Sequence, residues 1–246
     1  NHKFTLCPSV QFVMDDEECP KFPASLISLL LEQYNQDNIT GLVKDSTNEN
    51  IYYYTGTNEE VANNFLWYGG HQWRVLEFDT QANTLTLITQ QPLTAIQPAS
   101  AVWENEEAYN NSYINNWLND YFWNSLDSEI QSNILDNTFN IGIYGETAEE
   151  QNIKEITTTK KVGLLDVEQY LRVGSGGSFL DIKDCWWLGN RSSSPYVSYV
   201  ANSGDLKSNA VSPRYGVRAV IYLKSGTSAI TFTGGEGTPN LPYELQ

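Results

Sequence analysis

Apolar positions along this chain change their period several times, and each change marks an element. Residues 1 to 23 have no clear period and hold the acidic cluster Asp15-Asp16-Glu17-Glu18. Ser25 then stands as a helix N-cap before Leu26, Ile27, Leu29, Leu30, Leu31 and Tyr34, one apolar face that Gly41 is expected to stop. From Ile51 the pattern becomes extended. Ile51 to Tyr54, Asn63 to Tyr68 and His71 to Asp79 read as strands, with a Gly69-Gly70 turn between the last two. Beyond a turn at Gln81-Ala82-Asn83, Thr84 to Thr89 alternates with period two, the mark of a half-buried strand. These segments predict an antiparallel meander.

Helical spacing returns over residues 105 to 135. Tyr113, Ile114, Trp117, Leu118, Tyr121 and Phe122 recur at that spacing, and Leu126, Ile130, Ile134 and Leu135 form a second short stretch capped by Ser125 or Asp127. Residues 137 to 163 are polar and weakly patterned. Leu164 to Leu171 reads as a short helix with Asp166 near its start, followed by the glycine-rich loop Gly174 to Ser178. Trp186-Trp187-Leu188 and Tyr196 to Ala201 read as strands, the second ending in a turn at Asn202-Ser203-Gly204-Asp205. Tyr215 to Leu223 carries Val217, Val220, Ile221 and Leu223 and predicts one central strand covered on both faces, with Trp186 or Trp187 beside it. Trp103 sits between polar and acidic stretches, so its replacement should cost far less than that of the buried Trp. Residues 224 to 246 read as an extended strand and a junction.

Composition narrows the functions open to such a fold. The chain has 246 residues, 30 acidic against 14 basic, for a formal charge of −16. A nucleic-acid surface needs clustered Lys and Arg, and an anionic membrane surface needs them too, so neither is expected as a partner. No apolar run is long enough to span a bilayer. Few Lys, one Met and much Asn, Thr, Ser and Tyr fit an exported protein whose targeting segment lies outside this chain. In that setting Cys7 and Cys19 are expected to form a disulfide, and Cys185 to stay a reduced, buried thiol.

Catalytic and metal motifs are missing. His2 and His71 are the only histidines, and no cysteine pair has ligand spacing, so no zinc site is expected. There is no Gly-x-Ser-x-Gly, P-loop or dinucleotide fingerprint, and no Asp-x-Asp-x-Asp-Gly calcium loop. No cofactor and no enzyme activity are expected, although paired carboxylates of a glycosidase would leave no motif to read. Arg74 and Arg218 lie in apolar strands, where ion pairs or backbone carbonyls should engage them; anion binding is the alternative.

Three ordered motifs carry a resemblance. They are Trp67-Tyr68-Gly69-Gly70-His71-Gln72-Trp73-Arg74-Val75, Trp186-Trp187-Leu188-Gly189-Asn190-Arg191-Ser192 and Tyr215-Gly216-Val217-Arg218-Ala219. Together with Trp117-Leu118-Asn119, they make residues 50 to 223 resemble a widespread domain of unknown function in secreted and surface proteins of Gram-positive bacteria. Gly189-Asn190 and Ala219 depart from its "W-W-L-R-S" and "Y-G-V-R-P" patterns. The double Trp, the turn hairpin and the closing strand are also similar to the second half of C-type-lectin-like domains, including the formylglycine-generating branch. That branch works through paired late cysteines; here Cys185 stands alone, so its activity is not implied.

The resemblance implies an α+β fold, antiparallel and β-rich, of C-type-lectin-like topology with an N-terminal helix. The expected organisation is a disulfide loop and helix over 1–41, a main α+β domain over 42–225 and a strand or linker over 226–246. The expected role is an extracellular binding or adhesion module on a bacterial surface, with a host or cell-surface glycan or protein as partner. A glycan- or cell-wall-acting hydrolase and a structural spacer in a surface fibre are the alternatives. Polar loops between strong strands supply the candidate ligand-facing residues: Ser175, Ser178, Asn190, Arg191, Ser193, Tyr196, Asn209 and Arg214.

Overall fold

The computed structural model describes residues 4–6, 12–14, 25–144, 155–174, 176–192, 195–225 and 230–246. Cys7, Cys19, Ser175 and Ser193 lie outside these residues. The first elements are strands β1 (Phe4–Leu6) and β2 (Phe12–Met14), helix α1 (Leu26–Asn35), β3 (Leu42–Lys44) and β4 (Ile51–Tyr54). Then come β5 (Phe65–Tyr68), β6 (His71–Asp79), β7 (Thr84–Thr89) and β8 (Thr94–Ile96). The helical stretch holds α2 (Glu106–Asn110), α3 (Tyr113–Asn116) running into a π-helix (Trp117–Phe122), α4 (Trp123–Ser125) and α5 (Ser128–Asn133). After it lie β9 (Asn137–Asn140), β10 (Thr157–Lys160), β11 (Val162–Gly163) and α6 (Val167–Val173). The last strands are β12 (Trp186–Arg191), β13 (Val197–Val200), β14 (Leu206–Asn209), β15 (Tyr215–Val217), β16 (Val220–Lys224), β17 (Phe232–Gly234) and β18 (Tyr243–Leu245).

Two mixed sheets dominate this β-rich α+β architecture. The larger runs β11-β16-β7-β6-β5-β18-β17, with β4 and then β3 attached along the second half of β6; the smaller runs β14-β13-β12-β15-β8. A single ribbon joins them. In its upper part β7 pairs antiparallel with β16, and in its lower part β8 pairs antiparallel with β15. The stretch Tyr215 to Leu223, expected as one central strand, therefore divides between two sheets at Arg218 and Ala219.

Arg218 explains how the crossing is tolerated. A strand that changes sheets interrupts its ladder, and buried carbonyls without donors are costly. The Arg218 guanidinium is fully buried; its Nε donates to the Thr89 carbonyl at 2.8 Å and its Nη1 to the Leu180 carbonyl at 2.9 Å. It also lies over the Trp186 ring at 4.7 Å. Ala219 closes the corner, its N–H donating to Thr89 Oγ1 at 3.1 Å. Arg74 is buried in the same manner, between the rings of Phe65 and Phe179, donating to Asn64 and Asn58 side chains and to the Val61 carbonyl. Amide and carbonyl oxygens hold both guanidiniums; no carboxylate among the described residues pairs with either. Burial pulls both down to about 9, and Arg74 is lowered further by the Arg218 charge.

Several expectations need correction. α1 has its Ser25 cap, with Oγ accepting from the Ser28 N–H at 3.2 Å, but it ends at Asn35 rather than near Gly41. Gly41 instead enters β3 at φ +73, where a Cβ would meet Val61 at 2.5 Å. β7 is not half-buried: Leu85 to Thr89 are all buried, because both faces of its sheet are covered. Trp103 is 1% exposed, stacks edge-on against Tyr109 at 5.1 Å and donates from Nε1 to the Ile141 carbonyl at 3.0 Å. It is as much a core residue as the pair Trp186 and Trp187, both fully buried, with Trp186 set opposite Gly216 of β15. Cys185 is a free thiol but only half-buried. The polar stretch after α5 holds β9, β10 and β11; its one buried aromatic, Phe139, fills the space left by Gly163, where a Cβ would lie 2.3 Å away. Strand β18 pairs in parallel with β5, so the last residues are part of the larger sheet. No helix among the described residues is long and apolar enough to cross a membrane.

Candidate functional site

A groove of about 520 Å³ opens between β8, the α3–π-helix unit and the loop before β15. Ala95, Ile96 and Gln97 line it from the edge of the smaller sheet, and Tyr113, Asn116, Trp117 and Tyr121 line it from the helix. Arg214 lines it from the loop.

The helix exposes aromatic rings here because it carries two stripes one residue out of step. Ile114, Leu118 and Phe122, spaced i, i+4, i+8, are buried in the core. Tyr113, Trp117 and Tyr121 have the same spacing one residue earlier, and a helix packed on one side cannot bury both sets. Tyr113 is consequently 50% and Tyr121 72% exposed. Trp117 is half-buried and stacks on Phe122 at 5.9 Å with planes 13° apart, which fixes its indole against the core.

Local hydrogen bonds account for the π-turn. Asn119 reaches out of the helix to β11, its Nδ2 donating to the Val162 carbonyl at 3.0 Å and its Oδ1 accepting from the Val162 N–H at 3.3 Å. Asn119 thus takes the place of a neighbouring strand. The helix widens there, and the Trp123 N–H donates back to Leu118. Such π-turns occur often at functional sites. At the other end Ser112 caps the helix and the Ile114 N–H donates to the Pro98 carbonyl at 3.0 Å, tying the helix to the segment after β8.

The Arg214 loop is braced from below while its guanidinium is free. Gln97 Nε2 donates to the Ser212 carbonyl at 2.8 Å, Asn209 Nδ2 to Tyr215 Oη at 2.9 Å and the Ala210 N–H to Asn209 Oδ1 at 2.8 Å. Tyr215 packs on Trp187 at 4.7 Å, and Trp187 donates to the Ile96 carbonyl at 2.9 Å. Arg214 itself is exposed and has no ion pair or hydrogen bond among the described residues.

Of the residues singled out in the sequence, the structure brings only Arg214 to this groove. Asn209 braces its loop. Tyr196 is 43% exposed at the β12–β13 connection. Ser178, Asn190 and Arg191 are interior. Asn190 Oδ1 accepts from the Val167 N–H at 2.7 Å, which caps α6, and Gly189 lets the Asn140 carbonyl come within 3.1 Å of where a Cβ would stand. Those two contacts give a packing reason for the Gly189-Asn190 departure noted above. Ser178 Oγ accepts from the Leu180 N–H at 3.3 Å. Burial lowers Arg191, whose backbone bridges to Ile143. Sequence reasoning missed Tyr113, Trp117 and Tyr121 as surface residues, and the offset of the two stripes was the available signal.

A second, polar cleft of about 350 Å³ gathers three carboxylates, Glu77, Asp166 and Glu168, with Arg172. Burial pushes the Asp166 carboxyl up to about 6. Asp166 caps α6 in a reciprocal box with Gln169, and Glu77 pairs with Arg172. This cleft shares no residue with the aromatic groove. His71 is half-buried, edge-on to Phe122 at 5.3 Å, and burial lowers its pKa. No cluster of His, Cys, Asp or Glu among the described residues has the form of a metal site.

Comparison with curated proteins and with solved structures gives no match. A family comparison does match, over residues 83–225, to a domain of unknown function, DUF6273. The match begins at β7 and ends just after β16, so it contains the ribbon, the smaller sheet and every residue lining the aromatic groove. β3 to β6 and β17–β18, which complete the larger sheet, lie outside it. With more than half of its length matched, the chain belongs to the DUF6273 family.

Proposed function

We propose that this domain is an extracellular binding module of a bacterial surface protein, and that its aromatic groove holds a glycan. One observation carries the reading: Tyr113, Trp117 and Tyr121 present three rings along one helix face into a groove lined by no carboxylate. Exposed aromatics aligned in a groove mark a binding surface, and their faces suit the C–H faces of a pyranose. At about 1.5 Å per residue the first and last rings stand on the order of 12 Å apart, room for more than one sugar. The Asn116 amide has no hydrogen bond within the chain among the described residues and is placed to meet hydroxyls.

The acidic surface, the Gram-positive motif resemblance and the pairing of the double-Trp strand with β13 and β15 support export and a lectin-like arrangement. The hydrolase alternative draws on Asp166, whose raised pKa is the pattern of a general acid. Against it, the Asp166 cleft and the aromatic groove share no lining residue, so the exposed rings are not beside that carboxyl. A glycan array tests the reading. Wild-type protein should bind a defined set of glycans and Tyr121→Ala should lose them, while Asp166→Asn keeps them. A wild type that binds no glycan, or hydrolysis abolished by Asp166→Asn, would overturn it.

A further inference from the structure

We infer that the groove selects a carboxylate-bearing sugar, with Arg214 as the group that recognises the acid; this rests on the glycan reading above. The argument is one of charge placement. The chain has five arginines and a formal charge of −16, so free carboxylates to neutralise a guanidinium are abundant. Four of the five are engaged or enclosed. Arg74 and Arg218 donate to interior oxygens, Arg191 is 8% exposed, and Arg172 pairs with Glu77 and Asp45.

Only Arg214 is both exposed and without a partner among the described residues, and it lies where the lining has no Asp or Glu. The loop that carries it is meanwhile braced on either side, by Gln97 on the Ser212 carbonyl and by Asn209 on the Tyr215 hydroxyl. A braced loop carrying an unspent guanidinium beside stacking rings has the requirements of a two-point site. A ring engages the sugar face, and the planar fork of Arg214 takes the carboxylate through two parallel N–H bonds. Net repulsion from so acidic a chain also disfavours anions held by charge alone, so an acid must be gripped by the rings as well.

The test uses the whole chain and three acidic probes, namely oligogalacturonate, hyaluronan oligomers and sialyllactose, each beside its methyl ester, with a sugar phosphate as a fourth arm. Calorimetric titration should show at least one acid binding about tenfold tighter than its ester, as expected for a charge-assisted bidentate contact. Arg214→Gln should shrink that ratio below about twofold, the loss falling mainly on the acid, and Arg214→Lys should restore only part of it. Tyr121→Ala should weaken acid and ester together. Acid and ester binding equally would overturn the inference and leave the glycan reading standing. Preference for the phosphate over every carboxylate, or a ratio that survives Arg214→Gln, would also overturn it. Absence of all binding would overturn both.

Discussion

Arg214 and Arg218 stand four residues apart and meet opposite fates. Arg218 lies where the chain leaves one sheet for the other, fully buried, with its Nε and Nη1 donating to the Thr89 and Leu180 carbonyls. Arg214 lies one residue before β15 begins, braced by its neighbours and bonded to nothing among the described residues. Tyr121 and Phe122 repeat the contrast one residue apart, the first 72% exposed and the second 4%. Residue type does not separate the two fates here; what separates them is whether the surrounding elements enclose and engage the side chain or leave it to solvent.

The largest effect expected from this contrast lies at the sheet crossing. Arg218→Ala removes a packed side chain and strands two buried carbonyls, so it should cost about 3–5 kcal/mol, read as a shift in urea midpoint. Trp186→Ala and Trp103→Ala should fall in the same range of about 3–5 kcal/mol. A tolerant Trp103→Ala would show that its Ile141 hydrogen bond and Tyr109 stacking are not as described. Arg218→Lys should still cost about 2 kcal/mol, since an ammonium cannot span both carbonyls with the planar geometry of a guanidinium.

Next in size is Phe122→Ala against Tyr121→Ala. The first should cost about 3 kcal/mol or more, whereas the second should stay within about 0.5 kcal/mol. Equal costs would mean that the two stripes are not divided between core and solvent. Arg214→Gln should be as silent in a melt as Tyr121→Ala.

A smaller loss than those at the core concerns pH. Burial raises the Asp166 carboxyl to about 6 in the folded chain against 3.8 for a free side chain, with Glu77, Glu168 and Arg172 in its cleft. Between those values the folded state binds more protons than the unfolded state. The contribution is therefore fully present below about pH 4 and is lost as pH rises through 6. Asp166→Asn keeps a capping oxygen and avoids the buried charge, so it should be more stable than wild type at pH 7 by about 1–2 kcal/mol, less whatever the helix dipole returned to the carboxylate. The gap should close by pH 4. A constant gap would place the titration elsewhere.

Much of the fold was legible where a single period governs an element. β4, β6 and β7 have the limits expected of them, because their apolar runs are bounded by turn residues and nothing competes. β9 and β10 were not legible, since Asn137-Thr138-Phe139-Asn140 and Thr157-Thr158-Thr159-Lys160 hold one large apolar residue between them and depend on pairing for their shape. The break at Arg218 was hidden for a related reason: a strand crossing between sheets keeps the same apolar residues as one that stays. At the groove, only Arg214 was anticipated. The aromatic stripe was visible as helical spacing, but deciding that it faces outward requires knowing that Ile114, Leu118 and Phe122 face the core.

The central claim is that bonding capacity left unspent at the groove is what binds. The most direct measurement is a glycan array read with wild type and with the double variant Tyr121→Ala, Arg214→Gln, at matched melting temperature. The account predicts a set of bound glycans for the wild type, enriched in acidic sugars, and its disappearance in the double variant. A double variant that keeps the wild-type profile, or a wild type that binds nothing, would contradict it.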